Sequence, residues 1–93
     1  MSKCYSVAYD LDKPGQDYQK VWDYLRKLGA ARIEDSLWLL WSYSSAFEIA
    51  QDLLRSGTID SNDRLMVSEV TSNCAWYNLM LTDDAMKKSI PAA

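Results

Sequence analysis

The sequence predicts an α+β fold, and three observations carry that prediction. Stretches of strand character occur at residues 4–9, 30–34, 37–41 and 64–70. Two amphipathic stretches of helical period lie between them, at 16–28 and 46–54. The order is therefore β-α-β-β-α-β, in which a helix separates strands one and two and another separates strands three and four. That order is the split βαβ of a ferredoxin-like sandwich. Right-handed crossovers then predict the spatial order 4-1-3-2 with both helices on one face. Residues 75–81 are left over and predict an extra C-terminal strand or a flap.

Each element has local reasons. In the first strand Tyr5, Val7 and Tyr9 share one face, while Cys4, Ser6 and Ala8 share the other. Pro14-Gly15 turns the chain after it. Tyr18, Val21, Trp22, Leu25 and Leu28 form the apolar stripe of the first helix. Asp17 suits its first turn and Arg26 and Lys27 its last, with Gly29 at C′. The second strand, 30–34, has Ile33 as its one large apolar residue, and Asp35-Ser36 turns the chain into the third. Leu37-Trp38-Leu39-Leu40-Trp41 is apolar on both faces, which predicts a central strand covered on both sides. The helices supply one cover; something else must supply the other. Ser45 and Glu48 read as a capping box for the second helix, and Gly57 closes that segment. Thr82-Asp83-Asp84 suits the start of a short helix reaching Lys88. Residues 1–90 read as one domain and 91–93 as a frayed tail.

Composition narrows the function. The chain has 93 residues, a net charge of −3, four Trp, six Tyr and no His. An acidic balance with scattered Lys and Arg lacks the basic stripe of a broad nucleic-acid grip. The aromatic load exceeds what a core of this size takes in, which points to a partner surface. Tyr5, Tyr9, Trp38, Trp76 and Tyr77 are the interface candidates, and a homodimer is the expected assembly. Tyr5, Tyr9, Trp38 and Trp41 have a second reading as a base-stacking platform, against simple core packing. Cys4 and Cys74 lack metal-ligand spacing and read as reduced thiols of a cytoplasmic protein. No leader pattern and no membrane-length apolar run is seen.

Without histidine, the commonest general base, the Ser-His triads and His-based zinc sites are excluded. Carboxylates remain, and they suit Mg or Mn. The topology, read with strands one and three parallel and strand four antiparallel beside strand one, gathers Asp10, Asp12, Asp60 and Asp63 at one sheet end. The same reading brings the hydroxyl-rich Ser42-Tyr43-Ser44-Ser45 there. Asp10, Asp12 and Asp63 are the metal candidates and Asp10 the catalytic one. The plainer reading is that these aspartates bond turn backbone. Asp10 stands apart because it directly follows an apolar strand, where a charge needs a partner or a purpose.

Three segments carry a family resemblance: Tyr9-Asp10-Leu11, Ser36-Leu37-Trp38-Leu39-Leu40 and Asn62-Asp63-Arg64-Leu65-Met66-Val67. In order and spacing, over residues 3–70, they resemble the CRISPR-associated Cas-two family, in particular its diverged relatives outside CRISPR loci. The resemblance implies a ferredoxin-like homodimer, with a C-terminal strand crossing to the partner sheet. It also implies one of two roles. One is a non-catalytic scaffold that bridges an integrase-like partner and DNA. The other is a Mg- or Mn-dependent endonuclease with Asp10 and its symmetry mate at the dimer axis. The acidic charge and the short link between strands two and three depart from the DNA-bridging members. The chain more faintly resembles the virulence-associated protein D toxins, which implies ribonuclease activity and an antitoxin partner. The expected function is a scaffold or regulatory binding module, with the endonuclease as the alternative.

Overall fold

The computed structural model describes residues 2–12 and 18–91. Its elements, in chain order, are β1 (Lys3–Asp10), α1 (Tyr18–Lys27), β2 (Ala31–Glu34), β3 (Leu37–Ser42), α2 (Ala46–Arg55), β4 (Arg64–Glu69) and α3 (Asp83–Ser89). The four strands form one antiparallel sheet in the order β2-β3-β1-β4. The expected turn at Pro14-Gly15 and the first-turn position of Asp17 lie outside the described residues.

One expectation about direction is overturned. β3 runs antiparallel to β1, with Lys3 opposite Ser42 and Ala8 opposite Leu37. The cause is the short turn at Asp35 and Ser36, which reverses the chain between β2 and β3. Residues 42–45 therefore lie at the far end of the sheet from Asp10. There the Tyr5 hydroxyl donates to the Ser44 carbonyl at 2.7 Å.

The helix ends follow the local chemistry. At the end of α1, Gly29 takes φ +82°, its N–H reaches the Arg26 carbonyl, and the Ala30 N–H reaches the Leu25 carbonyl. This is a Schellman closure, which satisfies carbonyls that the helix itself leaves open. At the start of α2 the Ser45 Oγ accepts from the Glu48 N–H and a Glu48 carboxylate oxygen accepts from the Ser45 N–H, each at 3.2 Å. Ser45→Ala should lower stability by about 1 kcal/mol in chemical denaturation; an unchanged midpoint would show that the cap adds nothing.

Strand alternation divides the apolar residues between two cores. Tyr5, Val7, Tyr9, Trp38 and Leu40 face Val21 and Leu25 of α1 and Ile49 and Leu53 of α2. On the opposite face Cys4, Ile33 and Leu39 meet Met86 of α3, with Trp76, Leu79, Leu81 and Ile90 packed around them. The second cover for the central strand thus comes from this chain's own C-terminal segment. Residues 75–81 form no strand; they are an irregular flap, tied to β2 where the Met80 N–H donates to the Ile33 carbonyl at 3.0 Å. α3 begins as expected, with the Thr82 hydroxyl accepting from the Ala85 N–H at 3.1 Å.

Candidate functional site

Antiparallel pairing of β1 with β4 sets Asp10 opposite Arg64. Their side chains form an exposed ion pair at 3.3 Å, with Asp10 63% and Arg64 86% accessible. An exposed pair of this kind contributes about 1 kcal/mol or less. Asp63, one residue before β4, does different work. Its Oδ1 accepts from the Asp12 N–H at 2.8 Å and its Oδ2 from the Asp60 N–H at 3.0 Å. One carboxylate thus ties the chain leaving β1 to the turn that leads into β4. In that turn the Asp60 carboxylate accepts from the Asn62 N–H at 2.8 Å. A polar hollow of about 230 Å³ lies alongside, lined by Asp10, Leu11, Asp12, Asn62 and Arg64.

The sheet end therefore does gather the acidic residues, with the Asp60 and Asp63 carboxylates in turn-forming roles and Asp10 in an ion pair. Among the described residues no group of three or more His, Cys, Asp or Glu side chains is arranged to hold a metal ion. Both Asp63 oxygens accept backbone N–H groups, and Asp10 faces a guanidinium. A hard cation needs several convergent oxygens. Within a single chain, Asp10, Asp12 and Asp63 do not form such a convergent group.

The aromatic candidates divide. Tyr5, Tyr9 and Trp38 are only 4%, 5% and 1% exposed, inside the core under the helices, so they present no surface to a partner or to a nucleobase. The reason is the alternation of β1 and β3, which turns all three toward α1 and α2. Trp41 faces the other way and donates its indole N–H to the Ser89 carbonyl at 3.4 Å. Trp76 is half-buried, its indole N–H on Asp83 Oδ1 at 3.2 Å, while Tyr77 is 89% exposed.

The buried aromatics form a polar knot. The Tyr9 phenol oxygen accepts from the Trp22 indole at 2.9 Å and from the Trp38 indole at 3.1 Å. Arg32 lies over the Trp22 ring, 4.4 Å from its centroid. Burial pushes the Tyr9 hydroxyl above its ordinary pKa, partly offset by the Trp38 and Trp22 hydrogen bonds and by Arg32. Burial likewise raises the Cys4 thiol, in keeping with a packing role.

Two surfaces were not singled out from the sequence. The C-terminal flap packs over Ile33, Leu37, Leu39 and Trp41. On the β1–β4 half of that face, Met66 is 67% exposed and the Ser6 and Ser68 hydroxyls are hydrogen-bonded at 2.7 Å. A shallow groove lined by Ala8, Asp10, Arg64 and Met66 runs along it. The signal was present in β4, where Met66 sits between Arg64 and Ser68 on the alternate face from Leu65 and Val67. The second surface is a cleft of about 430 Å³ between the sheet and residues 71–79.

No protein-family model matches the chain, and no solved structure gives a significant match. Among the described residues, no helix is long and apolar enough to cross a membrane.

Proposed function

We propose that this chain is a non-catalytic binding module that works as a homodimer on a ferredoxin-like frame, serving as a scaffold or regulator in the cytoplasm. The observation that carries this reading is the half-open sheet face at β1 and β4. Among the described residues β4 is an edge strand, paired with β1, and an edge of this kind offers unpaired backbone groups to another chain. Met66, 67% exposed beside it, supplies an apolar anchor. The Asp10–Arg64 pair at the rim supplies charges of both signs for fixing orientation. The resemblance to diverged Cas-two relatives favours the same assembly. It names nucleic acid, an integrase-like protein or an antitoxin as the partner classes to test first.

The turn-forming roles of Asp63 and Asp60 favour binding over catalysis. The test is cleavage of labelled single- and double-stranded RNA and DNA in Mg²⁺, Mn²⁺ or EDTA, with wild type and Asp10→Ala purified identically. We expect no metal-dependent cleavage that separates the two proteins. Cleavage by wild type that needs the metal and disappears in a folded Asp10→Ala protein would establish the endonuclease instead.

A further inference from the structure

We propose that the cleft between the sheet and residues 71–79 is a binding site for a small organic cation, an alkylated ammonium group carried on an apolar body. At about 430 Å³ it falls within the size range of ligand sites. Its walls are apolar where β2, β3 and α3 contribute Ile33, Leu37 and Met86, and aromatic where the flap contributes Trp76 and Tyr77. Among the described residues lining it, the charged ones are Glu34 and Glu69, with no Lys or Arg. An anion entering this cleft meets like charge, whereas a cation meets opposite charge beside Trp76 and Tyr77.

The two carboxylates are not equivalent. Glu69 already has Lys3 at 3.7 Å. Glu34 makes no ion pair with a described residue, and the nearby Arg32 is engaged with Asp35 at 3.2 Å. Glu34 is therefore the main counter-charge for an incoming ammonium. An alkylated ammonium is weakly hydrated and gains from contact with an aromatic face, and the apolar walls suit its body. The flap that carries Trp76 is anchored at two points. The Trp76 indole is anchored on Asp83 at 3.2 Å, and the Met80 N–H is bonded to the Ile33 carbonyl at 3.0 Å. Preorganisation of this kind reduces the ordering cost of binding.

The cleft is lined by residues of one chain, so the test uses the full chain as purified. The probe is benzyltrimethylammonium, titrated into ¹⁵N-labelled protein and followed by ¹H–¹⁵N correlation spectra. Phenylacetate serves as the control of similar size and opposite charge. Expected is a saturable response concentrated on Leu37, Val70, Trp76 and the Trp76 indole, absent with phenylacetate. Glu34→Gln, a change at an exposed site that leaves the core alone, should weaken binding about fivefold, the scale of one exposed charge pair; Glu69→Gln should do less. No saturation, equal binding of phenylacetate, responses centred elsewhere, or an unchanged affinity in Glu34→Gln would each overturn the proposal.

Discussion

Tyr9→Phe should destabilise the chain by about 2–4 kcal/mol, since each buried donor left without an acceptor costs about 1–3 kcal/mol. Two indole N–H groups converge on that one phenol oxygen. Trp38 is 1% exposed, so its N–H bears most of the loss; the half-buried Trp22 recovers part of its own. The ring stays, so the change isolates the hydrogen bonds from the packing. Urea denaturation checks it, and a loss below about 1 kcal/mol would show that the knot is replaceable. The same residue sets an alkaline limit. Burial raises the Tyr9 hydroxyl in the folded chain, so the unfolded state gives up this proton first. The contribution is intact below the unfolded phenol value of about 10 and is lost as pH rises toward the folded value. Tyr9→Phe lacks that linkage, so the stability gap between wild type and variant should narrow above about pH 10.

Asp63→Ala should cost about 2 kcal/mol, two backbone N–H groups each losing a carboxylate acceptor at roughly 1 kcal/mol apiece. The two bonds join positions far apart in sequence, Asp12 and Asp60, so their loss loosens the junction between β1 and β4. Asp63→Asn keeps one acceptor oxygen and should recover about half of the loss. Asp10→Ala, which breaks only an exposed ion pair, should cost under about 1 kcal/mol. Thermal or urea unfolding of the three variants separates the roles. If Asp10→Ala proved as damaging as Asp63→Ala, the ion pair with Arg64 would be structural after all.

Much of this frame could be read from local chemistry. The alternation of Tyr5, Val7 and Tyr9, the Ser45–Glu48 cap and the glycine after α1 each act within a few residues of themselves, and each is where its residue type suggests. The gathering of Asp10, Asp12, Asp60 and Asp63 also followed from pairing β1 with β4. The direction of β3 was legible too, because a two-residue turn after β2 forces a reversal; taking β1 and β3 as parallel overlooked it and misplaced residues 42–45. Other features depend on long-range packing. Alternation shows that Trp38 and Leu39 face opposite ways, but not which face the helices cover. The bond between Trp38 and Tyr9 joins residues 29 apart. Residues 71–81 have no period at all, and their path is set by Trp76, Leu79 and Leu81 finding the β2–β3 face.

The central claim is self-association through the half-open face at β1 and β4, and sedimentation velocity at micromolar concentration tests it most directly. Wild type should sediment as a dimer. Met66→Glu, which alters a residue 67% exposed and outside either core, should sediment as a folded monomer. A monomeric wild type, or a Met66→Glu protein that still dimerises, would contradict the account.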